Sequence, residues 1–203
     1  MTVVTEQQSG DTKHHQIRQD IQRYIDEVFD LEYDLSKFKF PEKDGFPAYM
    51  VGGLPISVDE VMIDLASFFK VEAQVFLNVA VIDSLIRDRS QKRPYDLYVF
   101  AHSGSSEPDV KYENKSFNEI VLENLQFMDP SEYFLCSGFQ MWKHKKWMDM
   151  KGRAVKGGTM TSSTWSNGRF VGGRFDHTQG ISLDAYTCDD GAHSYAPREI
   201  FLG

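Results

Sequence analysis

The first clear pattern along the chain is helical. Ile17, Ile21, Tyr24, Ile25, Val28 and Phe29 recur at three- and four-residue spacing, which predicts an amphipathic helix over 14–30. The polar residues 1–13 before it are expected to form a disordered tail. Leu31, Tyr33 and Leu35 alternate with Glu32 and Asp34, the period of a short strand. Pro41 to Pro55 holds three prolines and three glycines and predicts a chain of turns.

Ser57-Val58-Asp59-Glu60 is a capping box, so a helix should follow with Val61, Met62, Leu65 and Phe69 inward. Val75, Val79, Ile82 and Ile86 keep helical spacing through 71–89, and Asp83, Arg87, Asp88 and Arg89 close that run with charge. The β-branched stretch VFLNVAV would also suit a buried strand, but the spacing favours helix. Pro94 ends it, and residues 95–101 read as a strand. Ser116-Phe117-Asn118-Glu119 is a second capping box, opening a helix through Ile120, Leu122 and Leu125 that Asp129-Pro130 should stop.

From Glu132 the texture changes. Short β-like runs (EYFLCSGFQMW, AVKGGTMTSSTW, RFVGGRF, ISLDAYTC) are punctuated by glycine, and Asn167-Gly168 between two of them is a two-residue hairpin signal. The chain is therefore expected to be α+β, with N-terminal helices packed on a C-terminal antiparallel β-sheet. Residues 14–203 are expected to form one domain, with a sub-boundary near 130.

Composition narrows the class. With 203 residues and 41% apolar content the chain can bury a real core. No apolar run approaches the roughly 20 residues of a membrane helix, and the N-terminus lacks the basic and apolar regions of a secretory signal. Two cysteines make no disulfide framework in a chain this long. A soluble, cytoplasmic protein with no membrane partner is the expectation.

Charge brings in the first functional signal. Residues 1–138 hold 13 Lys/Arg against 24 Asp/Glu, a net of −11, whereas residues 139–203 hold 9 against 6, a net of +3. The cations concentrate in FQMWKHKKWMDMKGRAVKGG (139–158), where Lys143, Lys145, Lys146, Lys151, Arg153 and Lys156 surround one acid, Asp149. Such a group can neutralise phosphates, and Trp142 and Trp147 in the same stretch could stack on bases. Arg169 and Arg174 flank the expected hairpin and could extend that surface. Gly152, Gly157 and Gly158 would admit close backbone approach. Nucleic acid or another polyanion is the first expected partner. A second reading joins the acidic half of one copy to the basic half of the next, as in a homo-oligomeric shell, tail or filament. The third treats the tryptophans as core and the lysines as guards of a strand edge. The five-residue spacing weakens a stacking platform unless a turn or bulge intervenes, because the indoles have opposite parity on a strand and sit about 140° apart on a helix.

The chemistry-bearing residues of the last third are Cys136, His144, Asp176, His177, Cys188, Asp189, Asp190 and His193. Zinc needs four ligands and only Cys188 and His193 are closely spaced, so no metal or cofactor is expected. Asp189 and Asp190 disfavour a thiolate at Cys188, and Cys136 lies in an apolar run that suits a buried, inert thiol. Phosphate-loop, dinucleotide and nucleophile-elbow motifs are absent. No catalytic residue is assigned; a small enzyme using His177, Asp176 or the Cys188–His193 pair is the remaining alternative.

Overall fold

The computed structural model describes residues 6–75, 94, 96–112, 115–149, 158–164, 169–176, 180–186 and 195–203. Helix α1 (Glu6–Phe29) buries the stripe predicted for it, with Ile21, Tyr24, Ile25, Val28 and Phe29 all in the core. It is helical from Glu6, so the disordered tail expected over 1–13 does not hold over 6–13. The strand expected at 31–35 is absent. Asp34 accepts from the Ser36 amide at 2.9 Å and turns the chain into a 3-10 turn at Leu35–Lys37, a local bond that outcompetes a ladder.

Strand β1 (Ala48–Gly52) lies inside the proline- and glycine-rich stretch expected to be all turns. It pairs antiparallel with β3 (Tyr98–His102), and β3 pairs with the short β8 (Ile200–Phe201), giving a three-stranded sheet in the order β1-β3-β8. Helix α2 (Val58–Phe69) opens on both halves of the predicted capping box, and Val61, Met62 and Leu65 are fully buried. Residues 71–89 are not one helix. Ala73–Val75 is strand β2, and the rest of VFLNVAV, where the alternative strand was expected, lies outside the described residues.

Helix α3 (Phe117–Leu122) opens on the second predicted capping box. Helix α4 (Pro130–His144) occupies the stretch read as the first β-like run. Asp129-Pro130 does not stop a helix; it starts one. The Asp129 carboxylate accepts from the Glu132 amide and the Glu132 carboxylate accepts from the Asp129 amide, both at 2.8 Å, while Pro130 sits in the first turn where its missing N–H costs nothing.

The second sheet has five strands: β2, β4 (Gly158–Thr164), β5 (Phe170–Asp176), β6 (Gly180–Tyr186) and β7 (Tyr195–Pro197), in the order β2-β6-β5-β4-β7. Its centre is antiparallel as expected, but both edge pairings, β2 with β6 and β4 with β7, are parallel. β4 and β5 form the predicted hairpin ladder; Asn167 and Gly168 lie outside the described residues.

α4 is the central strut, touching α1, α2, β1, β4 and β5 and so linking both sheets. Gly138 makes this possible. A Cβ there would overlap the Leu65 side chain of α2 and the Tyr24 hydroxyl of α1, so the three helices meet where one of them has no side chain. Tyr24 closes the junction by donating to the Leu135 carbonyl at 3.1 Å. Among the described residues no helix is long and apolar enough to cross a membrane.

Candidate functional site

The cationic segment begins on the last turn of α4. Lys143 and His144 occupy that turn, and Lys145 caps it in the left-handed conformation, φ 57°. The unpaired carbonyls of a helix C-terminus carry partial negative charge, so cations are favoured there before any partner is invoked. Lys145 shows this directly, with its Nζ donating to the Trp142 carbonyl at 2.8 Å. Lys143 reaches instead to Asp20 of α1 at 2.8 Å. Burial works to raise the Asp20 pKa, but hydrogen bonds from Lys143 and Gln16, with the charges of Lys143 and Arg23, leave it below the usual carboxylate value. Lys146 is exposed and donates to the Ser106 hydroxyl at 3.3 Å. One of the three lysines is therefore neutralised within the chain; Lys145 and Lys146 have no carboxylate partner among the described residues.

The two indoles do not form a platform. Trp142 donates its N–H to Glu27 at 2.8 Å, carries the Arg23 guanidinium 4.7 Å above its ring centre, and stacks on Phe139 at 5.9 Å. Trp147 is 3% exposed, stacked on Phe175 at 4.9 Å with Phe69 edge-on at 5.0 Å. The base-stacking role expected for Trp147 is thus corrected: it is core. The left-handed turn at Lys145 separates the indoles and sends one to α1 and the other to α2 and β5.

The flanking cations are divided as well. Phe175 points to the α4 side of the five-stranded sheet, so Arg174, its neighbour in β5, points to the opposite side. There its Nε donates to Ser182 at 3.2 Å, and its charge lies near the half-buried Tyr186 and the buried Tyr195. Those two phenols bond to each other at 2.5 Å, with ring centres 4.3 Å apart. Arg169 is exposed at the start of β5. Lys151, Arg153 and Lys156 lie outside the described residues.

The flanks of that undescribed stretch are tied together. Asp149, in the left-handed region at φ 59°, donates its amide to the Ser106 carbonyl at 2.8 Å and accepts from the Thr159 hydroxyl at 2.7 Å. Arg198, 1% exposed, forms a close ion pair with the Asp149 carboxylate through Nη2. Its Nε donates to Thr159 at 2.7 Å, and its Nη1 donates to the Ser105 and Glu107 carbonyls at 2.8 and 2.7 Å. Arg198 stands between β7 and β8, where the chain passes from one sheet to the other. Its guanidinium therefore fastens the loop after β3, the end of the α4 turn and β4 at one buried point. The sequence singled out neither Arg198 nor this role; the one cue was a lone arginine between two short apolar runs.

A second buried polar group sits along α4. Cys136 Sγ faces His102 Nε2 at 3.8 Å, and Glu132 accepts from the Tyr98 hydroxyl at 2.6 Å. The Gly104 amide donates to His102 Nδ1 at 3.1 Å, so in the neutral ring Nε2 carries the proton. The nitrogen facing sulfur is then a donor and cannot act as a base toward the thiol. Burial, with the Arg198 charge, pushes the His102 pKa down to about 3; burial, with the Glu132 charge, pushes the Cys136 thiol well above its usual value. The pair has the wrong proton inventory for an activated nucleophile. His177, Cys188, Asp189, Asp190, His193 and the Asp176 side chain lie outside the described residues. Among the described residues no cluster of three or more His, Cys, Asp or Glu could hold a metal ion. Comparison with protein-family models, with curated proteins and with solved structures finds no match to this chain.

Proposed function

We propose that the chain is an intracellular, non-enzymatic binding protein whose partner is nucleic acid or another polyanion, engaged at the C-terminal end of α4. The observation that carries the reading is the exposed Lys145–Lys146 pair, without a carboxylate partner among the described residues, at the root of a segment with three further cations. Asp149, Arg198 and Thr159 support it by holding the two flanks of that segment together beside Lys145 and Lys146. The inert Cys136–His102 pair gives no support to thiol chemistry at Cys136.

The test is size-exclusion chromatography with light scattering, recorded at 260 and 280 nm at low and high salt. A particle that carries nucleic acid at low salt and sheds it at high salt supports the reading, since counterion release makes such binding steeply salt-dependent. Lys145→Glu/Lys146→Glu should then abolish the 260 nm signal. A protein free of nucleic acid at both salts, and silent toward added oligonucleotide and heparin, overturns it. Self-assembly is the second reading, favoured by four exposed apolar side chains: Ile63 and Phe68 on α2, Val121 and Leu122 on α3, with Leu122 85% exposed. It predicts a large particle insensitive to salt.

A further inference from the structure

On the side of the five-stranded sheet that faces away from α4, Tyr195 of β7 reaches across two strands to meet Tyr186 of β6. Glycines clear the path. A Cβ on Gly158 of β4 would come within 2.3 Å of the Tyr195 ring, and one on Gly172 of β5 within 2.9 Å of Tyr195 and 3.0 Å of Tyr186. The Tyr195 hydroxyl donates to the Tyr186 hydroxyl at 2.5 Å, with the ring centres 4.3 Å apart and the planes inclined by 39°. Because oxygens and ring centres are both close, the phenol ends run side by side, and an ortho carbon of one ring lies against the other ring. Phe170 holds the pair in place, stacked on Tyr186 at 5.4 Å and edge-on to Tyr195 at 6.0 Å. Tyr195 is 7% exposed and Tyr186 is half-buried, so a small oxidant meets Tyr186 first and Tyr195 through it. Burial pushes both phenols above their ordinary value, so both carry their protons at neutral pH.

We propose that Tyr186 and Tyr195 form an oxidative cross-linking site, which a one-electron oxidant converts to an intramolecular dityrosine; this is independent of the polyanion reading. Each phenol gives up one electron and one proton and becomes a phenoxyl radical. The two radicals form one carbon–carbon bond between ortho positions, and each ring regains its aromaticity by moving its ortho hydrogen to oxygen. Two phenols thus yield one dityrosine, two protons and two electrons. With persulfate as the acceptor, both electrons go to one persulfate, which leaves as two sulfates. The bond ties β6 to β7 across β5 and β4 and closes the chain between residues 186 and 195, so oxidation locks the sheet.

The experiment briefly illuminates the full chain, at low concentration, with ruthenium tris-bipyridine and persulfate. Dityrosine fluorescence should appear while the protein keeps its single-chain mass on a denaturing gel. The tryptic peptide 175–198, which holds both tyrosines, should lose two hydrogens, and cleavage at Asp189 or Asp190 should leave its halves joined. Tyr186→Phe and Tyr195→Phe keep the rings but remove a phenol, and each should abolish the joined product. Tyr112→Phe, in the same apolar cluster, should leave it unchanged. Oxidation should raise the Tm of wild type by about 5–10 °C relative to Tyr186→Phe treated alike, the effect expected of cross-linking a loop this short in a chain of this length. Absence of the joined peptide, under illumination that does couple tyrosines in the urea-unfolded chain, overturns the site; so does dityrosine formed only between chains. A joined peptide without a gain in Tm overturns the lock.

Discussion

Replacing Gly138 by alanine tests whether α4 is the strut on which the other helices close. Alanine should on propensity alone stabilise the helix by about 1 kcal/mol. The structure reverses the sign. The added methyl overlaps Leu65 and the Tyr24 hydroxyl, both 0% exposed, so neither side chain can swing into solvent. Overpacking of this kind costs about 1–3 kcal/mol. Displacing Tyr24 also breaks its bond to the Leu135 carbonyl and leaves buried polar groups unpaired, about 1–3 kcal/mol more. The net expectation is a loss of about 1–5 kcal/mol, or about 2–20 °C in Tm for a domain of this size. Urea unfolding followed by circular dichroism gives the free energy, and Tyr24→Phe in the same background gives the cause. Removing the hydroxyl relieves the overlap, so the double variant should be more stable than the sum of the singles by about 1 kcal/mol. A Gly138→Ala protein as stable as wild type would refute the helix junction.

Arg198→Met should cost about 3–5 kcal/mol by stranding the buried Asp149 carboxylate, whereas Arg198→Met with Asp149→Leu should recover much of that loss; equal stability of Arg198→Met and wild type would refute the buried knot. In a Cys188→Ser background, Cys136 should react with a disulfide reagent only as fast as the protein unfolds, and rapid native-state reaction would contradict its burial. His102 has a folded pKa of about 3 against an ordinary 6.5, so the unfolded chain takes up its proton first as pH falls. Stability should be fully present above pH 6.5 and decline toward pH 3 by at most about 1.4 kcal/mol per pH unit from this group, a slope missing between pH 6.5 and 5 in His102→Gln. Lys145→Gly should raise stability by about 1 kcal/mol by relieving the left-handed backbone while weakening polyanion binding.

The elements legible in the sequence were those announced by local chemistry. Both Ser-x-x-Glu capping boxes start helices where expected, and the apolar stripe of α1 is the face that is buried. The failures have local causes too. Asp129-Pro130 reads as a stop for the helix before it, yet Asp129, Pro130 and Glu132 satisfy the same capping logic with aspartate in place of serine. The run that follows it, EYFLCSGFQMW, contains no valine, isoleucine or threonine, but its aromatics suit a strand as well as a helix, so the cap rather than the composition decides. β1 was hidden because proline and glycine border it rather than interrupt it. β2 needed its partner: three residues form a strand because β6 supplies a parallel edge, which no window on residues 71–89 contains.

The candidate site was legible as charge and illegible as surface. Sequence spacing could place six cations and two indoles within one segment, but it could not say that the α4 terminus itself accounts for part of the charge. Nor could it show that Asp20 takes Lys143, or that the core takes Trp147. These assignments are set by residues 40 or more positions away: Asp20, Glu27, Phe69 and Ser106 act on 142–147 only after α1, α2 and the loop after β3 have packed around α4. Long-range packing thus sorts a cationic-aromatic sequence into an aromatic interior and a cationic exterior. What stays exposed at the end of α4 is Lys143, His144, Lys145 and Lys146, and of the three lysines Lys143 is the one that meets a carboxylate among the described residues.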